Sequence, residues 1–173
     1  MKRIAFLLVA IATLAAAVCL VAPPSGRADG EAAPIFVSKI PPAYRDWRLI
    51  SVAREEANLK DIRAQLGNDI AIGAYRDGKL PFPDGAIIAA VHWDYVPSEE
   101  NNKVFGREQS FVAGPPTNIQ FMVKDSKRYA ATGGWGFGDF KDGKPAGQAK
   151  LKTCFPCHQA IKVRDFVFTR YAP

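Results

Sequence analysis

Residues 154–158 read Cys-Phe-Pro-Cys-His, the pattern C-x-x-C-H. Two thiols separated by two residues can be presented from one turn to the two vinyl groups on one edge of a porphyrin. The histidine that follows then lies under the iron and can supply an axial nitrogen. Pro156, in the third slot, stiffens that turn because its ring locks φ. Only 15 residues follow His158, so any second axial ligand must come from upstream. Other chemistries fit the motif less well. A Cys154–Cys157 disulfide of the thioredoxin type leaves His158 without a role. A zinc site would need Cys154, Cys157, His158 and His92, the only other histidine, and ligation by two adjacent residues strains a tetrahedral centre.

The start of the chain bears on this choice, because c-type haem is attached after export. Lys2 and Arg3 are followed by an uncharged apolar run over residues 4–21, then Pro23, Pro24 and Ser25, and small residues at Gly26 and Ala28. Positive, then apolar, then small is the order of a secretory signal peptide, with cleavage expected near Ala28. The run is 18 residues long, near the lower limit for a membrane span, so an uncleaved anchor is the alternative. A lipoprotein at Cys19 is disfavoured by the Ala16-Ala17-Val18 approach. Cleavage would leave residues 29–173 as one domain with room for a core. Lys2, Arg3 and Arg27 would leave with the signal, lowering the formal charge from +6 to +3. That balance, without basic residues interleaved with aromatics, excludes a nucleic-acid partner. Cys19 would leave too, so the mature cysteines are those of the motif, in an oxidising compartment.

Hydrophobic patterning predicts an α+β fold around a mainly antiparallel β-sheet with short helices. Residues 29–42 form a loose lead-in, and residues 47–52 alternate as a strand. Leu59, Ile62, Leu66 and Ile70 recur at helical spacing, so periodicity predicts a helix over 59–66. Asn68 caps a second short helix ending near Tyr75. Pro81, Pro83, Asp84 and Gly85 make a turn. Residues 86–96 form the clearest strand, with Ile87, Ala89, Val91, Trp93 and Tyr95 on one face and Ile88, Ala90, His92 and Asp94 on the other. Residues 98–107 read as a loop, 119–123 as a strand, and 125–131 as a short helix closed by Gly133 and Gly134. Residues 135–140 alternate aromatics with glycine, as expected of a strand packed closely against something flat. Residues 150–164 are helix-compatible, and 166–171 read as a final strand.

Met122 and His92 are the mature candidates for a sixth iron ligand. Met122 shares a strand face with Gln120 and Lys124, as a half-exposed strand residue would. His92 beside Trp93 reads as a hydrogen-bonded wall residue. An open sixth position follows, which favours small-molecule binding over pure electron transfer.

Several segments in order are similar to the cytochrome P-460 family, which includes the cytochromes c′-beta. They are AYRDW (43–47), DIRAQ (61–65), FPDG (82–85), VKDSKRYA (123–130), GGWGF (133–137) and, most specifically, the C-terminal CFPCHQAIKVRDFVFTRYAP. The resemblance implies an antiparallel sheet with helices, usually in a homodimer, and one five-coordinate haem c held by Cys154 and Cys157 with His158 axial. It also implies strand, not helix, in 59–66, and this expectation is preferred to the periodicity. Arg63 matches a distal-pocket arginine that would donate hydrogen bonds to a ligand on iron. One position departs from the pattern. Members that oxidise hydroxylamine carry a haem-linked lysine on the strand after the FxDG turn. Counting from Phe82-Pro83-Asp84-Gly85, that position is Ala90, and no lysine occurs between Lys79 and Lys103.

The chain is therefore expected to be an exported, periplasmic monohaem cytochrome that binds small ligands such as nitric oxide, with scope for redox turnover. A hydroxylamine or nitric oxide oxidoreductase is the alternative, and an electron-transfer cytochrome c the second. The oxidoreductase needs a redox partner protein and a proton relay. Asp94, Glu99, Glu100 and Glu108 are candidates for that relay, none of them singled out, and the catalytic residues stay unknown.

Overall fold

Alternating side chains in the middle of the chain build the frame. The computed structural model describes residues 36–56 and 59–172; the signal peptide expected over 1–28, with its cleavage near Ala28, lies outside them. Strands β1 (Arg48–Glu55), β2 (Asp61–Gly67), β3 (Ile87–Pro97), β4 (Phe111–Lys124), β5 (Trp135–Lys141) and β6 (Lys144–Pro145) pair in chain order as one antiparallel meander. The short helices are α1 (Asp69–Arg76), α2 (Glu99–Phe105), α3 (Gln148–Leu151) and α4 (Cys154–Gln159). The α+β fold class stands.

β2 is the strand preferred for residues 59–66, and not the helix that the spacing of Leu59, Ile62, Leu66 and Ile70 would give. It is hydrogen-bonded along both edges, to β1 and β3. Leu59 is 63% exposed and Ile70 45% exposed, so half of the apparent helical stripe faces water. Ladder pairing on two sides outweighs a four-residue periodicity. Asn68 does cap α1, accepting from the Ala71 N–H at 3.0 Å. The same oxygen accepts from Ile87 N–H at 3.1 Å, and its amide nitrogen donates to Gly85 O at 2.8 Å. One side chain thus ties the helix to the start of β3.

Four other expectations need correction. Residues 98–107 hold α2 rather than a loop: Ser98 caps it, Glu99 and Glu100 sit in its first turn, and Gly106 ends it at φ 68°, each a helix-favouring feature. Residues 125–131 form turns and a 3-10 segment, Ala130–Thr132, rather than an α-helix, because the Asp125 carboxylate takes the Lys127 and Arg128 N–H groups in a local turn. The helix expected over 150–164 is broken into α3, α4 and the 3-10 segment Lys162–Arg164. Pro156 has no N–H to bond Lys152 O, so no helix can run through from α3. Residues 166–171 are not a strand: Asp165 and Phe166 hold φ of 51° and 65°, which turns the chain away from any ladder.

The two faces of the sheet differ. Registered pairs put Ile88, Met122, Phe137 and Trp135 on one face, under a cluster that includes Ile50, Ile72, Phe82, Phe166 and Val167. The other face buries Ala89, Phe121 and Phe140 under Val37, Tyr44 and Trp47. Gly136 explains the close approach expected of the 135–140 strand: a Cβ there would overlap the Tyr129 ring.

Candidate functional site

α4 packs on the first of these faces. One helical turn carries Cys154 and Cys157, both free thiols. Cys154 packs against the apolar cluster together with Phe155 and Met122, and burial raises its thiol pKa, with a smaller upward push from Asp139. His158 follows on the next step of the helix. Its Nδ1 lies 2.7 Å from Phe166 O. A carbonyl oxygen can only accept, so the proton sits on Nδ1 and Nε2 keeps its lone pair. Burial lowers the imidazole's pKa, against a smaller upward push from that hydrogen bond. The ring is packed by Phe137 at 5.0 Å and edge-on by Phe168 at 5.2 Å between centroids.

The Phe166 carbonyl is positioned by a buried ion pair one residue away. Lys124 Nζ reaches Asp165 at 2.8 and 2.9 Å, and Asp165 also accepts from Phe82 N–H at 2.8 Å. The 165–168 segment is thereby pinned to the end of β4 and to the turn before β3.

Farther along the same face, towards the start of β2, polar side chains replace apolar ones. Gln65, Ala90, Gln120 and Asp139 form one cross-strand row, and Arg63, His92 and Asn118 form the next. Asp139 is 2% exposed. Burial alone would raise its pKa, but hydrogen bonds from Lys150, Asn118 and Gln120 outweigh it and hold the carboxyl below its ordinary value. Arg63 donates to Asp61 at 3.1 Å and lies 3.2 Å from Glu55. Asp61 also takes Nδ1 of His92. Two buried atoms here, Arg63 Nε and His92 Nε2, have no hydrogen-bond partner among the described residues.

The arrangement fits a covalently held porphyrin. It has two free thiols on one turn, a neutral imidazole whose Nε2 is left bare, and aromatic packing around that imidazole. Ala90 lies between Gln65 and Gln120 in register, and Lys124 on the same face is engaged by Asp165. Cys154, Cys157 and His158 are brought together as expected, and Arg63 shares the face on which their helix packs. Of the acids considered for a proton relay, Glu99, Glu100 and Glu108 are exposed around α2, whereas Asp94 is exposed on β3 directly opposite Asp61. The buried carboxylates among the described residues are Asp61, Asp139 and Asp165, the last of them paired with Lys124. Asp61 was legible in principle, since Asp61, Arg63 and Gln65 alternate onto one face of any strand.

The family described as Cytochrome P460 matches residues 41–169. No curated protein matches the chain.

Proposed function

Because this chain belongs to the cytochrome P460 family and so to the c-type haem cytochromes, we propose that it is an exported monohaem member that binds small ligands such as nitric oxide at an open sixth position. In this reading Cys154 and Cys157 hold one haem through thioether bonds and His158 is its axial ligand. When bound, that group supplies an iron that can take a further ligand and exchange one electron. The reading is carried by the hydrogen bond from His158 Nδ1 to Phe166 O, which orients the ring and raises the basicity of its free nitrogen.

The chain's own residues would act on the ligand side. Arg63, fixed by Asp61 and Glu55, donates to partial negative charge on a bound diatomic. Met122 is packed into the apolar cluster beside Cys154 and Phe155, which favours an open site. Alanine at position 90 argues against the hydroxylamine-oxidising chemistry that uses a haem-linked lysine. We also assign it to the periplasm as a homodimer, with a redox partner protein for any turnover.

An absorption spectrum of the reduced protein with and without carbon monoxide tests this reading. A five-coordinate ferrous spectrum that shifts on adding the gas is expected. A low-spin spectrum indifferent to carbon monoxide would instead make the protein an electron shuttle.

A further inference from the structure

The two partnerless nitrogens on β2 and β3 belong to directly paired residues, since Arg63 and His92 face each other across the ladder. Their row is two residues along the strand, about 7 Å, beyond the row of Ala90. His92 is only 5% exposed. A buried polar atom left without a partner costs about 1–3 kcal/mol, so leaving two such atoms side by side calls for a reason. Trp135 Nε1 is a third such atom, but it lies in the apolar core, where Lys124 is over its ring and Phe82 meets its edge. The β2–β3 pair is set among charges instead.

Asp61 decides which protons these atoms carry. One of its oxygens accepts from the Arg63 guanidinium and the other meets His92 Nδ1. A carboxylate that accepts from arginine is ionised, so the shared proton sits on Nδ1, and in the neutral ring Nε2 is then a bare acceptor. Arg63 Nε beside it is a fixed donor. The pair therefore suits a small molecule with an acceptor atom and an ionisable hydrogen, whereas a diatomic such as carbon monoxide can use only the arginine.

We propose that His92, held by Asp61, is the proton acceptor of the ligand site: it takes the hydrogen of a weakly acidic ligand as that ligand is captured, and Arg63 steadies the anion left behind. This rests on the haem reading above. For hydrocyanic acid, the C–H bond breaks, its electron pair remains on carbon for the metal, and the proton passes to His92 Nε2. The product is an imidazolium paired with the Asp61 carboxylate.

Uptake of cyanide by the ferric protein at neutral pH, where the added species is hydrocyanic acid, tests the proposal. His92→Phe should slow uptake by about 100-fold, the scale of a positioned base. Asp61→Asn should slow it similarly with His92 still present, because an amide donating to Nδ1 moves the ring proton to Nε2. Nitrogen-15 spectra of the ferrous carbon monoxide form of the wild type should show His92 protonated on Nδ1 alone, a readout that needs no variant to fold. Undiminished cyanide uptake in His92→Phe, or a His92 proton on Nε2, would overturn the proposal. So would a wild-type low-spin spectrum that becomes high-spin in His92→Phe, which would make His92 an iron ligand. Loss of haem, or no response of the wild type to carbon monoxide, would instead overturn the underlying haem reading.

Discussion

Nδ1 of His158 lies 2.7 Å from the carbonyl oxygen of Phe166, so the eight-residue step between them closes into a loop that holds the imidazole from behind. The residue before that carbonyl, Asp165, is itself held by Lys124. A chain of contacts thus runs from the sheet to the imidazole whose other nitrogen, Nε2, is proposed to bind iron.

Covalent attachment should be visible directly. Haem should stay with the polypeptide through denaturation and acid-acetone extraction of protein expressed with haem-attachment machinery. Cys154→Ala with Cys157→Ala should release all of it, measured by absorbance of the extracted pellet. Complete release from the native sequence would defeat the thioether assignment.

The Lys124–Asp165 pair should matter to stability. Lys124→Met leaves the Asp165 carboxylate buried without its cation, which costs about 3–5 kcal/mol. Adding Asp165→Asn should recover most of that loss, since an amide oxygen can still accept from Phe82 N–H. Urea unfolding of the holoprotein checks both, and a double variant as unstable as the single one would count against the electrostatic account.

Arg63→Ala should weaken carbon monoxide binding to the ferrous protein. A charge-assisted hydrogen bond contributes about 1.5–3 kcal/mol, which corresponds to about 10- to 100-fold in dissociation constant. Titration followed in the Soret region measures it, and an unchanged constant would remove Arg63 from the ligand site.

Asp139 predicts an acid-sensitive term. Despite burial, hydrogen bonds from Lys150, Asn118 and Gln120 hold its carboxyl below the ordinary carboxylate range in the folded protein, so the folded state binds fewer protons than the unfolded state in that range. The contribution is present above the unfolded value and is lost as pH falls through the folded one. Asp139→Asn should therefore flatten the stability profile on its acid side below about pH 4, as read from urea midpoints. An unaltered acid limb would show that Asp139 carries no such term.

Mass spectrometry of haem peptides should find attachment at Cys154 and Cys157 alone. A second haem-linked peptide containing Lys79 or Lys103 would show that the position equivalent to the cross-linking lysine is misplaced at Ala90.

Short-range patterns in the sequence were reliable where one local rule acted alone. The alternation from Ile87 onward, the Asn68 cap and the aromatic–glycine strand from Trp135 all appear as expected. Over residues 59–66 two periods overlap; the helical one misleads, the resemblance favours strand, and pairing with β1 and β3 decides for it. β4 extends eight residues upstream of Ile119, through Pro115 and Pro116. Prolines break the local strand signal, yet β3 continues as a partner as far as Phe111.

What the sequence determined by itself is the grouping of Cys154, Cys157 and His158, because they are neighbours along the chain and one turn suffices to bring them together. It also determined the absence of lysine near position 90. What only the tertiary structure decided is the surroundings of that turn. Phe166 O reaches His158 because Asp165 and Phe166 adopt left-handed backbone, and Asp165 stays there because Lys124, 41 residues away, is folded against it. Asp61 meets His92 across 31 residues only because two strands register with Arg63 opposite His92. Contacts of that kind depend on strand register and burial, which couple distant residues and leave no spacing in the sequence to read.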